Sequence, residues 1–389
     1  MARSVVLAGG VRTPFGRFGG KLAAYDVSRL AVPVVKEVMR RVGVAPEDVD
    51  HLVFGNTIHS TADAPFGARV VTLESGLPIT TRSLGVIRAC GTGLQAIVSA
   101  AEQIALGRSE VAVAAGAEVY SQAPHVIRAR WGVKRGVPPV EDMLDWAYRD
   151  PFDGALMGET AERLSDYAGI GRERQDAYAL ESQRRTQRAT ELGYLAEEIL
   201  PLPELAVDEF PRPHTTAEKL AGMPTPFREG GRVTPGNSSG VNDGAAAMMV
   251  LAEEAAERLG VQPWARIVDW AVVGCEPGLM GRGPVPATQA VFARTGLRAE
   301  DIDVAEINEA FAVVVLHAMD ELGLDHERTN PNGGAISIGH PPGATGLRMM
   351  IAALNQLHRT GGRYGLVTMC LGAGQGMAMI VENLRGRAT

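Results

Sequence analysis

Three residues able to carry nucleophilic or proton-transfer chemistry each stand beside a run of glycines. Cys90 lies in S-L-G-V-I-R-A-C-G-T-G-L-Q-A, His340 in G-G-A-I-S-I-G-H-P-P-G-A-T-G, and Cys370 in C-L-G-A-G-Q-G. Leu84 to Ala89 reads as a short strand, and Gly91 and Gly93 as a tight turn. Leu94, Ile97, Val98, Ala101 and Ile104 then recur at helical spacing until Gly107. Cys90 is therefore expected where a strand ends and a helix begins. Free N–H groups and the helix dipole favour an anion there. Such a place lowers a thiol pKa from about 8.5 into the range of roughly 3.5–7.5, and the thiolate is the nucleophile. A lone cysteine is more often a small buried hydrophobe.

The neighbours change that balance. His340 precedes a helix marked by Leu347, Ile351, Leu354 and Leu357, much as Cys90 precedes its own. A Cys–His pair at facing helix N-termini is what an activated thiolate needs. Cys370, with its own glycine turn, can serve as an acid or base and offer N–H donors to an oxyanion. One rival reading comes from the same stretch: G-T-G-L-Q-A satisfies the dinucleotide fingerprint, with Glu118 where a ribose-binding acid would stand. Cys90 directly before the first glycine counts against an NAD-dependent oxidoreductase.

The elements that hold these residues repeat. Glu47-Asp48-Val49-Asp50 matches Glu300-Asp301-Ile302-Asp303 at an offset of 253, and the same offset lays Cys90 to Leu94 on Gly343 to Leu347. A duplicated unit of alternating strands and helices implies a layered α/β architecture. The first copy holds roughly a hundred residues more than the second, placed between Glu118 and the apolar run Ala245 to Leu251. This surplus carries basic residues such as Arg128, Arg130, Lys134 and Arg135 and one helix from Gly158 to about Leu192. It reads as a domain inserted on the strand ends, where ligand-binding loops gather. In the expected division, residues 1–119 with 246–270 form the first half, 120–245 the loop domain, and 271–389 the second half. Asp26 or Ser28 is expected to cap a helix running to Arg41, with Leu30, Val34 and Val38 on its inner face.

The 389 residues suffice for two or three domains and a large core, and 46% of them are hydrophobic against 21% charged. A net charge of −7 gives no footprint for nucleic acid or an anionic membrane. No apolar run approaches the ~18–20 residues that span a bilayer. The three cysteines are far apart and form no C-x-x-C, so neither a metal site nor a disulfide framework is indicated. A reduced, cytoplasmic enzyme is the expectation.

C-G-T-G-L-Q-A at Cys90, N-E-A-F-A at Asn308, the His340 motif and C-L-G-A-G-Q-G at Cys370, in this order, resemble the thiolase family over essentially the whole chain. The resemblance implies an α/β, five-layered α-β-α-β-α fold built from two duplicated half-units, with an inserted loop domain that binds coenzyme A. It implies an acyl-CoA acyltransferase that condenses two acetyl-CoA reversibly to acetoacetyl-CoA, with coenzyme A as substrate and no resident cofactor. Cys90 would accept the acyl group and His340 its proton. Cys370 would exchange a proton at the α-carbon of the second acyl-CoA. Asn308 would hold a water that, with His340, stabilises the enolate, and the N–H groups of Cys90 and Gly372 would hold the other oxyanion.

By the same resemblance, Arg212 suits the nucleotide end of coenzyme A and Ser239 a pantetheine amide. Met157, Phe227, Met280, Ala310 and Phe311 would line the pantetheine tunnel. Ala123-Pro124-His125 and Gly132-Val133-Lys134 resemble the acetoacetyl-CoA-forming branch, whereas Leu156 stands where that branch often has histidine. The degradative 3-ketoacyl-CoA thiolases of fatty-acid β-oxidation are the near alternative, and a non-catalytic CoA- or lipid-binding relative a remote one. A β-ketoacyl synthase would need a histidine near Asn308, where Asn308-Glu309 stands. The family also implies a homodimer or homotetramer.

Overall fold

The computed structural model describes residues 3–385. In the first half, strand β1 (Val5–Arg12) is followed by α1 (Val27–Val42), β2 (His51–Gly55), α2 (Gly67–Glu74) and β3 (Arg82–Val86). Helix α3 (Thr92–Ala105) and strand β4 (Val111–Val119) complete the first run. The loop region then contributes α4 (Met157–Ala168) and α5 (Arg172–Glu191) before β5 (Asn242–Ala252) returns to the sheet. The second half comprises β6 (Ala265–Gly274), α6 (Pro284–Thr295), β7 (Ile302–Ile307) and α7 (Ala312–Leu322). It ends with α8 (Pro342–Thr360), β8 (Tyr364–Leu371) and β9 (Gln375–Asn383).

Strand order makes the duplication visible. One half-sheet runs β1-β5-β4-β2-β3 and the other β6-β9-β8-β7, so corresponding strands occupy corresponding places. The fifth position of the second half is reduced to a single parallel bridge between Ala305 and Thr329. A short antiparallel contact, Val6 with Arg266 and Leu7 with Ala265, joins the half-sheets edge to edge. Helices α1 and α2 cover the outer face of the first half, and α6 covers that of the second. Between the sheets lie α3 and α8, packed on each other, which gives the expected α-β-α-β-α layering.

Burial follows from this arrangement. On α1 a buried stripe including Leu30, Val34 and Val38 faces the core, while the opposite face is charged. Helix α8 is instead buried all round from Pro342 to Leu354, as a helix in a central layer must be. Asp26 occupies the cap position of α1, without a side-chain capping bond.

Three boundaries differ from expectation. Ala265–Gly274 pairs along its whole length with Gln375–Asn383, so it belongs to the second half, although residues up to 270 were assigned to the first. The single helix expected from Gly158 to Leu192 is two helices, because Gly169 takes a left-handed φ of 66° and ends α4. Gly91 closes the turn by donating its N–H to the Arg88 carbonyl at 2.9 Å, but Gly93 lies outside it, because α3 has already begun at Thr92.

Gly93 serves a different purpose. A Cβ there would stand 2.7 Å from the carbonyl oxygen of Gly343, and one on Gly346 would collide with the backbone of Leu94. Gly116 on β4 lies against the same Gly343 carbonyl. Backbone meets backbone at this crossing, with no room for a methyl group. Gly116→Ala should therefore destabilise the protein by about 1–3 kcal/mol, the usual cost of overpacking. Urea unfolding would read this as a lowered midpoint, and an unchanged midpoint would show that the crossing can relax.

Candidate active site

The turn before α3 is held by its own residues. Ala89 has φ of 43°, a left-handed value that costs energy in a residue with a Cβ. The Thr92 hydroxyl accepts from the Arg88 N–H at 2.8 Å and donates to the Ala89 carbonyl at 2.7 Å. Cys90 is half-buried between these contacts.

Across the crossing, Thr345 does the corresponding work for His340. Its hydroxyl lies 2.8 Å from the Pro341 carbonyl, to which it donates, and 2.8 Å from His340 Nδ1. A hydroxyl has one proton to give, so it must accept from Nδ1–H, which leaves Nε2 as the unprotonated nitrogen. The His340 N–H donates to Asn242 Oδ1 at 3.0 Å, which pins the backbone as well. Asn308 places its amide nitrogen 3.5 Å from His340 Nε2, and its buried Oδ1 has no partner among the described residues.

A cavity of about 470 Å³ opens on this group, with Cys90, His340 and Gly372 in its wall. Met157, Phe227, Ser239, Met280, Ala310 and Phe311 all line it. Cys370 is fully buried behind the wall, at the end of β8. Arg212 does not reach the cavity. Its guanidinium donates to the Ile336 carbonyl at 3.3 Å and stacks over Phe210, so the structure gives it no contact with the tunnel.

The electrostatics correct one expectation. Burial pushes the Cys90 thiol above its ordinary value, and Glu118 adds to this. The N–H groups of Gly372 and Cys90 act in the opposite direction without overcoming burial. A helix start alone therefore does not yield a resting thiolate in so dry a place. The Cys370 thiol is raised still further by burial and by the nearby sulfurs of Cys90 and Cys275. His340 is held neutral, its pKa lowered to about 3 by burial and then by the Arg348 charge. The site at rest combines a protonated nucleophile with an unprotonated base.

Glu118 disposes of the dinucleotide reading. It is fully buried and accepts from Asn56 Nδ2 and Ile58 N at 2.9 Å, Thr57 N at 3.1 Å and Gly343 N at 3.2 Å. None of its capacity is left for a ribose, and Gly93 faces protein where a pyrophosphate would lie.

Residues 5–254 match the thiolase N-terminal domain and residues 261–383 the thiolase C-terminal domain. The chain belongs to the thiolase family. It is 43% identical to "Beta-ketothiolase BktB" of Cupriavidus necator, covering 99% of this chain and all of that one. It is 42% identical to the 3-oxoadipyl-CoA/3-oxo-5,6-dehydrosuberyl-CoA thiolase of Escherichia coli, over 98% of this chain and all of the relative. The crystal structure of the Bacillus anthracis acetyl-CoA acetyltransferase superposes with a TM-score of 0.96 at 41% identity, covering 98% of this chain and 99% of that one. This thiolase is accordingly an enzyme that acts on acyl-CoA thioesters.

Several residues that shape the thiolase site escaped the sequence reading. Thr345 could have been found, because the 253-residue offset lays it on Thr92. Glu309 could not: it accepts from Tyr178 and Ser182 at 2.8 Å, Ile336 N at 3.0 Å and Asn330 Nδ2 at 3.2 Å. That network fastens α5 to the His340 loop. Tyr120 and Tyr148, which line the cavity beside Cys90, were also missed.

The low pKa of His340 has a measurable sign. Between about 3 and the unfolded value of 6.5, the unfolded chain binds a proton that the folded chain refuses. Stability contributed by this group is intact above pH 6.5 and falls by at most ~1.4 kcal/mol per unit as pH drops below it. The His340 ring protons, assigned by a His340→Asn control, should show no titration between pH 8 and 5 in NMR spectra. A midpoint near 6.5 would contradict a buried neutral imidazole.

Proposed function

We propose that Cys90 carries the acyl group in a reversible condensation of two acetyl-CoA to acetoacetyl-CoA, run backwards as thiolysis. The observation that best supports this is that one cavity gathers Cys90, His340 and Gly372 in its wall, where the N–H groups of Gly372 and Cys90 favour the charged form of the thiol. Cys90 attacks the thioester carbonyl and its proton passes to His340 Nε2. The oxyanion is held by the Cys90 and Gly372 N–H groups, and the departing CoA sulfur regains the proton from His340. Splitting the condensation at an acyl-enzyme replaces one difficult step with two easier ones.

In the second half-reaction, the Cys370 thiol passes its proton to His340 Nε2, and the thiolate so formed takes a proton from the α-carbon of the incoming acetyl-CoA. A raised thiol pKa makes its thiolate a strong base, and its thiol a proton donor in the thiolysis direction. The enolate oxygen is held by His340 Nε2–H and by a water on Asn308, whose Oδ1 has no other partner among the described residues. Attack on the Cys90 thioester forms the new carbon–carbon bond, and the released Cys90 sulfur takes the proton held on His340 Nε2, which leaves Cys370 a thiol as at the start. Ser239 and the apolar walls hold pantetheine, coenzyme A serves as substrate and product, and the reaction asks for no resident cofactor. Arg212 remains a contact for the nucleotide end only if Ile336 releases it.

The partner supported by the surface is a second copy of this chain. Strand β3 is a free edge in the single chain, and Ile79, Leu84 and Ile87 are exposed on and beside it. Such an apolar edge demands cover. Sedimentation as a monomer would remove this reading of a homodimer or homotetramer. No helix among the described residues is long and apolar enough to cross a membrane, and three free thiols suit a cytoplasmic setting.

Acetyl-CoA should leave one acetyl group on the Cys90 peptide by mass mapping. Cys370→Ala should still acetylate there but lose condensation by a factor of order 10²–10⁴, the range for a general acid–base. Acetylation surviving Cys90→Ser, or near wild-type condensation by Cys370→Ala, would overturn the two assignments.

Substrate length turns on two residues. Leu156 adds apolar surface near the reacting end, worth about 0.8 kcal/mol per methylene covered. Met280, buried in the wall, shortens the space for longer chains. Acetoacetyl-CoA should be preferred in thiolysis, with appreciable activity on 3-oxohexanoyl-CoA and little beyond. A kcat/KM that rises from C4 through C10 would instead support the degradative alternative.

A further inference from the structure

The 253-residue offset that pairs Thr92 with Thr345 also pairs Glu118 with Leu371. The corresponding strands β4 and β8 therefore end beside corresponding helix starts with opposite chemistry. Leu371 lies against Gly91 at the start of α3, where an added Cβ would stand 2.6 Å from its Cδ2. Glu118 lies at the start of α8, fully buried, and accepts from the Gly343 N–H at 3.2 Å.

The N–H groups at the start of α8 can be accounted for one by one. Pro341 and Pro342 have none. Ala344 and Thr345 both donate to the Pro341 carbonyl at 2.9 Å, and the cap position supplies no side-chain acceptor. The Gly343 N–H is left, and its acceptor is the Glu118 carboxylate from the other half. An acid there also matches the positive end of the helix dipole.

The rest of the carboxylate serves the same crossing. Oε1 accepts from Asn56 Nδ2 and the Ile58 N–H at 2.9 Å, and Oε2 from the Thr57 N–H at 3.1 Å as well as from Gly343. Asn242 on β5 holds the His340 N–H, so both ends of the turn from His340 to Gly343 are fastened to the half that carries Cys90.

We infer that Glu118 is a positioning residue for acyl transfer: as a cap for α8 supplied from the opposite half, it fixes the His340–Gly343 turn against Cys90. The inference rests on the acyl-transfer reading above and adds a residue that touches neither substrate nor the reacting atoms. Leu371, at the corresponding place, puts no acid at the start of α3, where the oxyanion is received. The duplication thus gave its two helix starts different tasks, one open to developing charge and the other closed on a carboxylate.

The test uses the purified full chain at about pH 8.5, where the Glu118 carboxyl, raised by burial to about 7, is ionised. Glu118→Gln keeps the shape, removes the charge and sets an N–H2 group against N–H donors. Glu118→Asp keeps the charge and shortens the reach. Each should lower kcat for acetoacetyl-CoA thiolysis by about 10- to 100-fold, the cost of a slight misplacement. KM should stay within about twofold, because none of the four bonds goes to Phe227, Ser239 or Met280. Alkylation of Cys90 by iodoacetamide at high pH, where hydroxide replaces His340, should stay within about threefold of wild type. A merely structural role would move all three readouts together. Near wild-type kcat in either folded variant would overturn the inference, and so would an alkylation rate altered as much as kcat. Where one variant does not fold, the other decides. A wild type that acetyl-CoA leaves unacetylated at Cys90 would instead sink the acyl-transfer reading, and this inference with it.

Discussion

The structure depends on one close approach, the crossing of α3 and α8 at their N-terminal turns. Gly93, Gly116, Gly343 and Gly346 let three backbone segments, α3, β4 and α8, meet where side chains would hold them apart. Because Cys90 precedes one helix and His340 the other, this contact sets the distance between nucleophile and base. Glu118 reinforces it by reaching from the end of β4 to the Gly343 N–H. Cys90 and His340 are about as far apart in sequence as the duplication is long. Only a tight interface between the two copies can place them within reach of one proton.

The same interface is dry, and dryness governs the chemistry. Burial raises both thiols and lowers His340, so every proton-transfer group starts in its uncharged form. Charge is created only when substrate arrives, where the N–H groups of Cys90 and Gly372 can receive it. Fixed charges nearby are paired: Arg348 with Glu306 at 2.9 Å, both 1% exposed, and Arg12 with Glu198 and Asp208. Breaking such a pair would leave an uncompensated buried charge, which typically costs 3–5 kcal/mol. These pairs tie the inserted region to β1, and β7 to α8 of the central layer.

The loop region is held with comparable care on one side only. Glu309 gathers Tyr178, Ser182, Asn330 and the Ile336 N–H, fastening α5 to the second half. The segment bearing Arg128, Arg130, Trp131, Lys134 and Arg135 is exposed, with Trp131 95% accessible. Rigid attachment near the thiol and open surface farther away suit a domain that must fix the reacting end of a long thioester.

Much was legible in the chain itself, because it was written in local or repeated patterns. The 253-residue offset announced the duplication, strand and helix periodicities placed Cys90 and His340 before their helices, and the four motifs carried the family. The inner face of α1 was readable from Leu30, Val34 and Val38 for the same reason. Three matters belonged to tertiary structure. The ionisation of Cys90 was misjudged, since a helix start favours a thiolate whereas enclosure opposes it, and enclosure is not a local property. Arg212 looked free for a phosphate until the fold laid it against Phe210 and Ile336. Tyr120 and Tyr148 are 28 positions apart with no shared motif, and only the packing of the loop region brings their rings together in the cavity wall that holds Cys90. Sequence determined which groups could react; the low-dielectric interior and the contacts across it decided their protonation and their company.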